Sequence, residues 1–484
     1  MQQVSADLSK LTTKQSLSRY NLDSRLDNVI NTGNGLESIY GQQFLRKLDI
    51  INVRAIYKAS IGIGLDGSVN SGNLYILAEN QFWMVTPEED SEPILCGEIT
   101  TSNGTVTFAE SQGQNLEGIV YIYFCDGMSL YRLNALTLKP EIENLKNALP
   151  MVNGTDNVRG QPSFISYRSH RLLLTCLNST QFFYSETNPD KFAKNSQEHP
   201  LDKMFPSDNF YSTETKADRT LRIIGLDLIY AFGTKTIEVW RDNNDAYDPY
   251  TTSINGNYLS GLSSPHAVAI LHNEIYYFDD LLRLCRLSSG RLEVLSDRSN
   301  ERIWDGKKFN NAFVIYVNGC FIACFQATDG FTIGYNTKSG SISELSCLSN
   351  VRAVSEEYLC DTEGNLCAFN DHTYTMANGN VISKIIQLEV LHNLKRFSLQ
   401  SIMIDYSIKT IPDEAEINNQ VFLFVSPDGL NWRDARVLNL DMHTKTIKSF
   451  GFGLCSKMHA RLVFTNANPV VFNSFTFIIN GGTK

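Results

Sequence analysis

One glycine-rich stretch has the residue types of a nucleotide-binding turn. Residues 62–67 read GIGLDG and match the pattern G-x-G-x-x-G. In dinucleotide sites this turn leads directly into a helix, whose free N–H groups bind the pyrophosphate. Here SVNSGNLYIL follows, which predicts a turn and a strand. The pattern therefore indicates a connection between strands, and we predict no cofactor.

Three aspartates could in principle bind a cation. Asp242, Asp245 and Asp248 occur at every third position. Calcium loops place their first carboxylates at positions 1, 3 and 5, so the spacing favours a solvated polar loop. None of the eight histidines is paired at i and i+4, and His266, beside Pro265, is interpreted as a turn residue. We predict no metal site.

The ten cysteines are spread along the chain, whose first residues, MQQVSADLSKLTTKQ, lack the apolar region of a secretory signal. Free buried thiols made in a reducing cytosol are therefore expected instead of disulfides. Cys320 and Cys324 fall on one face of a predicted strand, and no second pair has zinc spacing. Cys360 and Cys367 flank a turn and are expected as free thiols, with pairing across that hairpin as the alternative.

A late turn is similar to the Asp-box of propeller sialidases. Residues 426–432 read SPDGLNW, one residue short of that pattern, and the turn occurs once. Its aspartate is expected to cap backbone amides and its tryptophan to pack under the loop, which is a structural role. The sequence contains no G-x-x-x-x-G-K-[ST], H-E-x-x-H or G-x-S-x-G pattern. We therefore predict no catalytic residues and a protein that is not an enzyme.

The elements that must position these residues are repeated hairpins. Hairpins begin near residues 73, 118, 170, 226, 273, 312 and 357, that is, every 39 to 56 residues. A four-stranded propeller blade occupies about 40–50 residues, and radially arranged sheets cover one another and leave only short edges. The spacing therefore predicts an all-β fold with a β-propeller of six or seven blades. Unrelated hairpins in stacked sandwiches are the alternative.

The pattern divides the chain into three parts. Residues 1–55 are polar with few apolar anchors, which predicts an extended N-terminal arm along the propeller or a neighbouring subunit. Such an arm can also supply the strand that closes the ring. Residues 56–380 are assigned to the propeller. Beyond Ser383 the strands become longer, so residues 381–484 are predicted to form a C-terminal antiparallel β-sandwich.

Charge is distributed unevenly between these parts. The chain has a net charge of −10, and residues 376–484 hold 11 Lys and Arg against 8 Asp and Glu. That part is therefore at +3 and the remainder at −13. An acidic body argues against a phosphate-binding surface over the whole molecule. The sequence has no window of eighteen apolar residues, so no membrane span is expected.

Residues 221–280 contain three apolar strand candidates and one long polar segment. This segment, residues 241–260, is predicted to be a loop, and so long a loop in a compact domain usually has a function or contacts a partner. Tyrosine is a residue type that anchors protein interfaces. We therefore predict three partner contacts in the loop: Tyr247, Tyr250 and Tyr258. Trp240, at the end of the second strand, is predicted to lie at a blade interface opposite Leu228.

The same stretch carries a sequence resemblance. It contains F-G-x-x-T-I-E-V-W, then G-x-x-x-P-H-A-V-A, then an aromatic cluster. The matching residues are Phe232, Gly233, Thr236, Ile237, Glu238, Val239, Trp240, Gly261, Pro265, His266, Ala267, Val268, Ala269, Tyr276, Tyr277 and Phe278. This order resembles the tail hub proteins of short-tailed (podovirus) bacteriophages, also called packaged DNA stabilization proteins. Shorter matches lie at residues 183–192 and 424–432, whereas Asp279 and Asp280 replace the family's aromatic-Gly pair.

The resemblance implies a structural virion protein. In that family the hub forms a ring, sixfold, which extends the portal channel below the portal-adaptor protein. It docks the tail needle or plug and the tailspikes or fibres, and it helps to retain packaged DNA. DNA would pass through the channel without sequence-specific binding. The implied location is the tail of the virion, after assembly in the host cytoplasm.

Two functions of other classes stay open. One is a propeller glycoside hydrolase or sugar-binding protein, which would be favoured by an axial pocket lined by three or more arginines and two carboxylates. The other is a host-cell interaction scaffold in the manner of kelch or WD proteins, although the regular repeat signature of those proteins is missing.

Overall fold

The chain is almost entirely β-structure. The computed structural model describes residues 2–8, 11–15, 22–63, 69–70, 72–86, 92–111, 119–149, 151–152, 156–157, 160–213, 218–243, 245, 247–376, 378–408, 420–428, 430–441, 444–465 and 470–481. Within these ranges, helix is limited to the α-helical turn Arg298–Glu301 and to short 3-10 turns. The 3-10 turns of three residues are Lys146–Ala148, Pro189–Lys191, Leu201–Lys203, Arg302–Trp304 and Ser346–Leu348. The predicted all-β class is confirmed.

Seven four-stranded antiparallel blades form a propeller in the part of the chain that the structure describes, within the predicted range of six or seven. From the inner to the outer strand, blade 1 comprises Val53–Lys58, Leu74–Ala78, Gln81–Val85 and Ile94–Glu98; blade 2 Thr107–Glu110, Tyr121–Cys125, Leu130–Asn134 and Glu143–Asn144; blade 3 Pro162–Arg168, Arg171–Cys176, Gln181–Tyr184 and Phe210–Ser212; blade 4 Thr220–Gly225, Ile229–Gly233, Ile237–Asp242 and Tyr250–Tyr258; blade 5 Val268–Leu271, Glu274–Phe278, Leu284–Ser288 and Arg291–Val294; blade 6 Phe309–Val317, Cys320–Ala327, Thr332–Asn336 and Ile342–Glu344; and blade 7 Val351–Ser355, Tyr358–Asp361, Asn365–Asn370 and Gly41–Lys47. Two small hairpins pair Gly62–Ile63 with Val69–Asn70 and Met151–Val152 with Asp156–Asn157.

The N-terminal segment closes the ring. The outer strand of blade 7, Gly41–Lys47, pairs antiparallel with Asn365–Asn370, the last propeller strand in the chain. The ladder runs from Gly41 opposite Asn370 to Lys47 opposite Asn365. A strand from one end of the propeller sequence therefore completes a blade made from the other end.

Aromatic side chains fill the spaces between blades. The Phe82 ring of blade 1 stacks on the Phe124 ring of blade 2 with centroids 4.7 Å apart. Trp240 of blade 4 is 5% exposed and contacts the Phe182 ring of blade 3 edge-on at 5.3 Å. Trp240 therefore lies at a blade interface, as predicted. Its cross-strand partner is Ile229 and not Leu228, because residues 233–236 form a turn that shifts the predicted register by one residue.

The C-terminal part forms a β-sandwich whose two sheets share strands. Its strands are Lys384–Ile408, Gln420–Ser426, Arg436–Asn439, Thr446–Phe464 and Val470–Gly481. The first part of Lys384–Ile408 pairs with the end of Thr446–Phe464, and its second part pairs with Val470–Gly481. Register shifts separate the two parts. Strands that bend at such irregularities pass from one sheet to the other.

The rest of the N-terminal segment belongs to this sandwich. Its strands are Gln2–Ser5, Lys14–Gln15, Leu22–Asp27, Val29–Asn31 and Leu36–Ser38. Leu8, Leu26, Val29 and Leu36 are buried in the sandwich core. Arg25 donates to Glu344 of blade 6 at 2.7 Å, which attaches the sandwich to the propeller. Residues 1–55, predicted as an arm, thus contribute to both other parts, and strand Val53–Lys58 crosses the predicted boundary between residues 55 and 56.

Candidate functional site

The inner strands of the blades surround a central channel and run in the same direction along it. Near their beginnings, Asn311 Nδ2 of blade 6 donates to the carbonyl of Arg352 in blade 7 at 3.1 Å. Near their ends, the Lys58 amide of blade 1 donates to Ser355 Oγ of blade 7 at 2.9 Å. Each of these bonds joins the same ends of two neighbouring inner strands. The inner strands therefore begin at one mouth of the channel and end at the other.

A cavity of about 1370 Å³ occupies this channel. Its wall is made mostly by inner-strand residues of all seven blades, together with residues that follow the third strand of blade 7. Charged and titratable side chains of the wall are Tyr40, Arg54, Tyr57, Arg222, His266, Tyr316, Arg352, Glu356, Glu357, Asp371 and His372. A cavity of this size exceeds the range of about 300–1,000 Å³ typical of small-molecule pockets.

The mouth at the strand beginnings is lined by three arginines, of which Arg54 is fully engaged. Its five N–H groups donate to the carbonyls of Glu79, Thr101, Asn103 and Gly104 and to Thr101 Oγ1. Burial lowers the pKa of Arg54. Arg54 therefore ties the loops of blades 1 and 2 together and has no donor left for a ligand. Arg352, in contrast, is exposed at this mouth.

Arg222 provides a second cationic position at the same mouth, and His266 lies beside it. Arg222 Nη1 donates to the carbonyl of Pro265 at 2.8 Å, and its guanidinium carbon lies 5.4 Å from the centre of the Phe164 ring. Burial lowers the pKa of Arg222 to about 10. The His266 ring lies 5.0 Å from the same Phe164 ring, and burial together with the charge of Arg222 lowers its pKa to about 4. His266 is therefore neutral at neutral pH.

The mouth at the strand ends is acidic. Lys58 Nζ lies 3.0 Å from carboxylate oxygens of both Glu356 and Glu357. Burial lowers the pKa of Lys58, but the two glutamates outweigh it and raise the pKa overall. Glu110 accepts from Tyr57 OH at 2.9 Å. Burial, aided by Glu110, raises the pKa of Tyr57 well above its usual value.

The wall contains the three arginines and two carboxylates expected of a propeller hydrolase pocket, but it does not bring them together at one place. Three arginines and three carboxylates line the cavity. The arginines lie at one mouth and Glu356, Glu357 and Asp371 follow strands that end at the other. General acid–base chemistry needs carboxylates within hydrogen-bond reach of the same bound group as the residues that orient it. The two sets are separated along the channel, so their positions do not define a catalytic centre.

The predicted loop at residues 241–260 is mostly a strand. Tyr250–Tyr258 is the outer strand of blade 4 and pairs with Ile237–Asp242. The loop prediction was wrong because an outer strand faces solvent, so its residues YTTSINGNY lack the apolar alternation of inner strands. Of the described residues in 241–260, those between Asp242 and Tyr250 and the two after Tyr258 lie outside strands.

The three predicted contact tyrosines lie in different surroundings. Tyr247, in the turn, is 96% exposed. Tyr250 is 2% exposed, packs edge-on against Tyr184 of blade 3 and accordingly offers a partner no free surface. Tyr258 is partly buried, and its hydroxyl donates to the carbonyl of Gly290 in blade 5. The structure thus leaves Tyr247 as the exposed residue of this group.

The three aspartates of that segment are engaged separately. Asp242 accepts from Arg168 Nη2 at 2.6 Å, and Asp248 accepts from Tyr211 OH at 2.6 Å. Asp245 accepts from the Tyr247 amide at 2.8 Å. In the described ranges, no group of three or more His, Cys, Asp or Glu side chains is placed to hold a metal ion.

The remaining sequence motifs fall on structural elements. Gly62 begins a short strand, and the rest of the glycine-rich motif lies mainly outside the described residues. In the SPDGLNW turn, Asp428 accepts from the amides of Leu430 and Asn431, both at 2.8 Å. Cys320, Cys324, Cys360 and Cys367 are buried free thiols, as expected. The two predicted hairpin thiols are not cross-strand partners, because Cys360 pairs with Leu366 and Leu359 with Cys367.

A second candidate surface, missed in the sequence, lies on the sandwich. Its members are 52–64% exposed apolar side chains, which we call the C-terminal apolar patch: Leu430, Val437, Phe450 and Leu454. Arg436 donates to the carbonyls of Phe450 and Gly451, and Arg433 donates to that of Phe452. These bonds bring the segments around residues 430–437 and 450–454 together. Exposed apolar residues on neighbouring segments are candidates for an interaction surface.

The fold places the chain in the class of seven-bladed β-propeller proteins, with a β-sandwich built from both ends of the chain. No protein-family model and no curated protein sequence matches it. Similar solved structures include YCF48 bound to D1 peptide, with 7% identity over 67% of this chain and 95% of that chain (TM-score 0.38). BamB from Moraxella catarrhalis has 11% identity over 77% and 98% (TM-score 0.37). The Pan2 WD40 domain from Neurospora crassa has 9% identity over 66% and 92% (TM-score 0.37). At these values the similarities carry no argument about function.

Proposed function

We propose that the chain is a structural virion protein, the tail hub of a short-tailed phage. The observation that carries the proposal is the order of matching sequence elements, which runs from the hairpin ending in Trp240 to the aromatic cluster at Tyr276, Tyr277 and Phe278. In the structure these elements are the second and third strands of blade 4 and the first two strands of blade 5. In this proposal the propeller is a scaffold that presents surfaces and carries out no reaction.

The proposed hub is a homo-oligomeric ring, and the C-terminal apolar patch contacts the neighbouring copy. Charge complementarity supports this occupant, because residues 376–484 carry +3 and the rest of each copy carries −13. Opposite potentials on two surfaces favour their association and fix its orientation. Exposed Phe450 and Leu454 would supply the apolar centre of that contact.

Other surfaces of the proposed hub meet the remaining tail proteins. The exposed Tyr247 turn is the proposed contact for the portal-adaptor protein or for tailspikes or fibres. The channel of the ring would be lined mainly by acidic propeller loops, so that DNA passes without being retained by affinity. Closure by a needle or plug would then hold the packaged genome. Among the described residues, no helix is long and apolar enough to cross a bilayer.

The proposal is tested by the mass of the purified protein in solution, alone and with a portal-adaptor protein from the same phage. We expect a ring of six 54.5-kDa chains, at the latest when the adaptor is added. Phe450→Asp with Leu454→Asp should leave a folded monomer that does not form the ring. Leu281→Asp, at an equally exposed leucine of blade 5, is the matched control and should assemble normally. A wild-type protein that stays monomeric under both conditions would contradict the proposal.

A further inference from the structure

Arg222 and Arg54 both lie in the channel wall, but they differ in how many of their guanidinium N–H groups donate to the protein. Arg54 donates all five N–H groups to protein oxygens. Arg222 lies as deep, yet within the described residues its protein hydrogen bond is the one from Nη1 to the Pro265 carbonyl. Arg222 lines the cavity and is partly accessible there. Unused guanidinium donors therefore face the interior of the channel.

The surroundings of Arg222 supply no negative charge. Its own strand contributes Ile223 and Ile224 to the wall, the inner strand of blade 3 contributes Ile165 and Ser166, and blade 5 contributes His266 and Val268. Among the described residues, no carboxylate shifts the pKa of Arg222, which burial alone lowers. A cation withdrawn from water without a paired anion is unfavourable. An anion from outside the chain would pair with this charge.

His266 adds a polar group beside this cation. Its ring lines the same cavity. Among the described residues, the hydrogen bond of His266 runs from its backbone amide to Ser264 Oγ, and the ring nitrogens make none. The imidazole is neutral at neutral pH, so one ring nitrogen is an N–H donor and the other an acceptor. A bound anion could thus accept from both Arg222 and His266, while Ile223 and Val268 provide apolar surface for the rest of a ligand.

We propose that Arg222 binds the oxyanion of a small molecule, a carboxylate or a phosphate, at this mouth of the propeller channel, with His266 as a second donor. The planar guanidinium fork matches both groups and binds them with two parallel hydrogen bonds. The site lies within one subunit, so it does not depend on the proposed ring. An assembled hub without anion binding, or anion binding by a monomer, would separate the two proposals.

The test is an anion titration of the purified full chain at constant ionic strength and constant chloride. Inorganic phosphate is observed by ³¹P line broadening, acetate is observed in a parallel ¹³C experiment, and thermal melting is followed in both. We expect saturable binding of at least one of the two anions. The anion that binds more tightly shows whether the natural ligand carries a phosphate or a carboxylate. Arg222→Met should weaken that binding about tenfold or more, because hydrogen bonds to charged groups are strong. Its melting temperature without anion should equal or exceed that of the wild type, since a buried unpaired charge is gone.

Two further variants keep the result interpretable. Arg222→Lys retains the charge without the planar fork and should bind with intermediate affinity, which also covers a Met variant that fails to fold. Arg291→Gln removes an exposed arginine from the outer strand of blade 5 and should leave the affinity within about twofold. Absence of saturable binding in the wild type, equal binding by Arg222→Met, or an equal effect of added chloride would each overturn the assignment.

Discussion

Cys367, on the third strand of blade 7, lies directly opposite Phe44, on the strand that the N-terminal segment adds to this blade. The two residues belong to opposite ends of the propeller sequence, so their pairing holds the ring closed. The N-terminal segment also packs into the sandwich core through Leu26 and Leu36. Ring closure and sandwich folding are therefore coupled through one stretch of chain.

The first prediction concerns this closure. A Cβ atom at Gly41 would lie 2.3 Å from the carbonyl oxygen of Thr375, a backbone atom that cannot move aside. Gly41→Val should therefore lower the free energy of unfolding by about 1–3 kcal/mol or more, the range for overpacked positions. Urea denaturation measures this change. Lys47→Ala, at an exposed position of the same strand, should stay within about 0.5 kcal/mol of the wild type. An unaffected Gly41→Val protein would show that this strand does not close the ring.

The second prediction concerns the interface of blades 3 and 4. Trp240 packs against Phe182 and Tyr211 and is almost fully buried. Trp240→Ala should destabilise the protein by about 3–5 kcal/mol, as large aromatic deletions in cores do. Trp240→Phe should destabilise the protein less, because Trp240 Nε1 has no hydrogen-bond partner among the described residues. Equal melting temperatures for Trp240→Ala and the wild type would be incompatible with this packing.

The third prediction concerns pH. Burial, followed by the charge of Arg222, lowers the pKa of His266 to about 4, whereas the unfolded chain takes up this proton near pH 6.5. The unfolded state then binds more protons between these values, so stability falls as the pH is lowered from about 6.5 towards 4. By the same relation, protonation of His266 in the unfolded chain should lower the free energy of unfolding by about 2 kcal/mol at pH 5.

His266→Asn should remove this loss of stability on acidification. Urea denaturation at pH 7 and pH 5 measures the free energy of unfolding of the wild type and the variant. His372→Asn, in the turn after the third strand of blade 7, is the control and should keep the wild-type dependence. Identical pH dependences of wild type and His266→Asn would show that His266 is not held neutral by its surroundings.

The fourth prediction concerns DNA. A surface that neutralises phosphates releases counterions and binds tightly, which a channel for moving DNA must avoid. With −13 outside residues 376–484, the isolated protein should bind duplex DNA only weakly and without sequence preference at about 150 mM salt, where the screening length is about 8 Å. A gel-shift titration measures this affinity. Submicromolar, salt-sensitive binding would instead make the protein a DNA clamp.

The parts of the fold that the sequence predicts are those with strong local signals. The hairpins near residues 73 and 273 coincide with strands Leu74–Ala78 and Glu274–Phe278, whose buried apolar residues and flanking turns are contiguous in the chain. A ring-closing strand from the N-terminal arm was expected, and Gly41–Lys47 is that strand, but its bounds were not predicted. Strand Tyr250–Tyr258 was predicted as a loop, since outer strands face solvent and show little apolar periodicity. Strand Gly41–Lys47 also pairs with residues more than three hundred positions away, which local patterns do not indicate.

The site residues likewise divide into those with a local sequence signal and those that depend on distant packing. Tyr247 is exposed in a polar turn, whereas the burial of Tyr250 depends on packing against blade 3 and has no local signature. Arg222 did have one signal, a charged residue within the apolar run LRIIG, which in an inner strand points to a polar group in the channel wall. The C-terminal apolar patch combines residues from two separate segments, 430–437 and 450–454, so only the folded sandwich brings them together.

The central claim, that the chain is a tail hub, is tested most directly by locating it in virus particles. Gold-labelled antibodies against the exposed turn containing Tyr247 can be applied to purified particles of a short-tailed phage whose genome encodes the chain. The account predicts that mass spectrometry finds the chain in these particles and that the label lies on the tail, just below the head. Particles that lack the chain, or a label elsewhere on the virion, would contradict it.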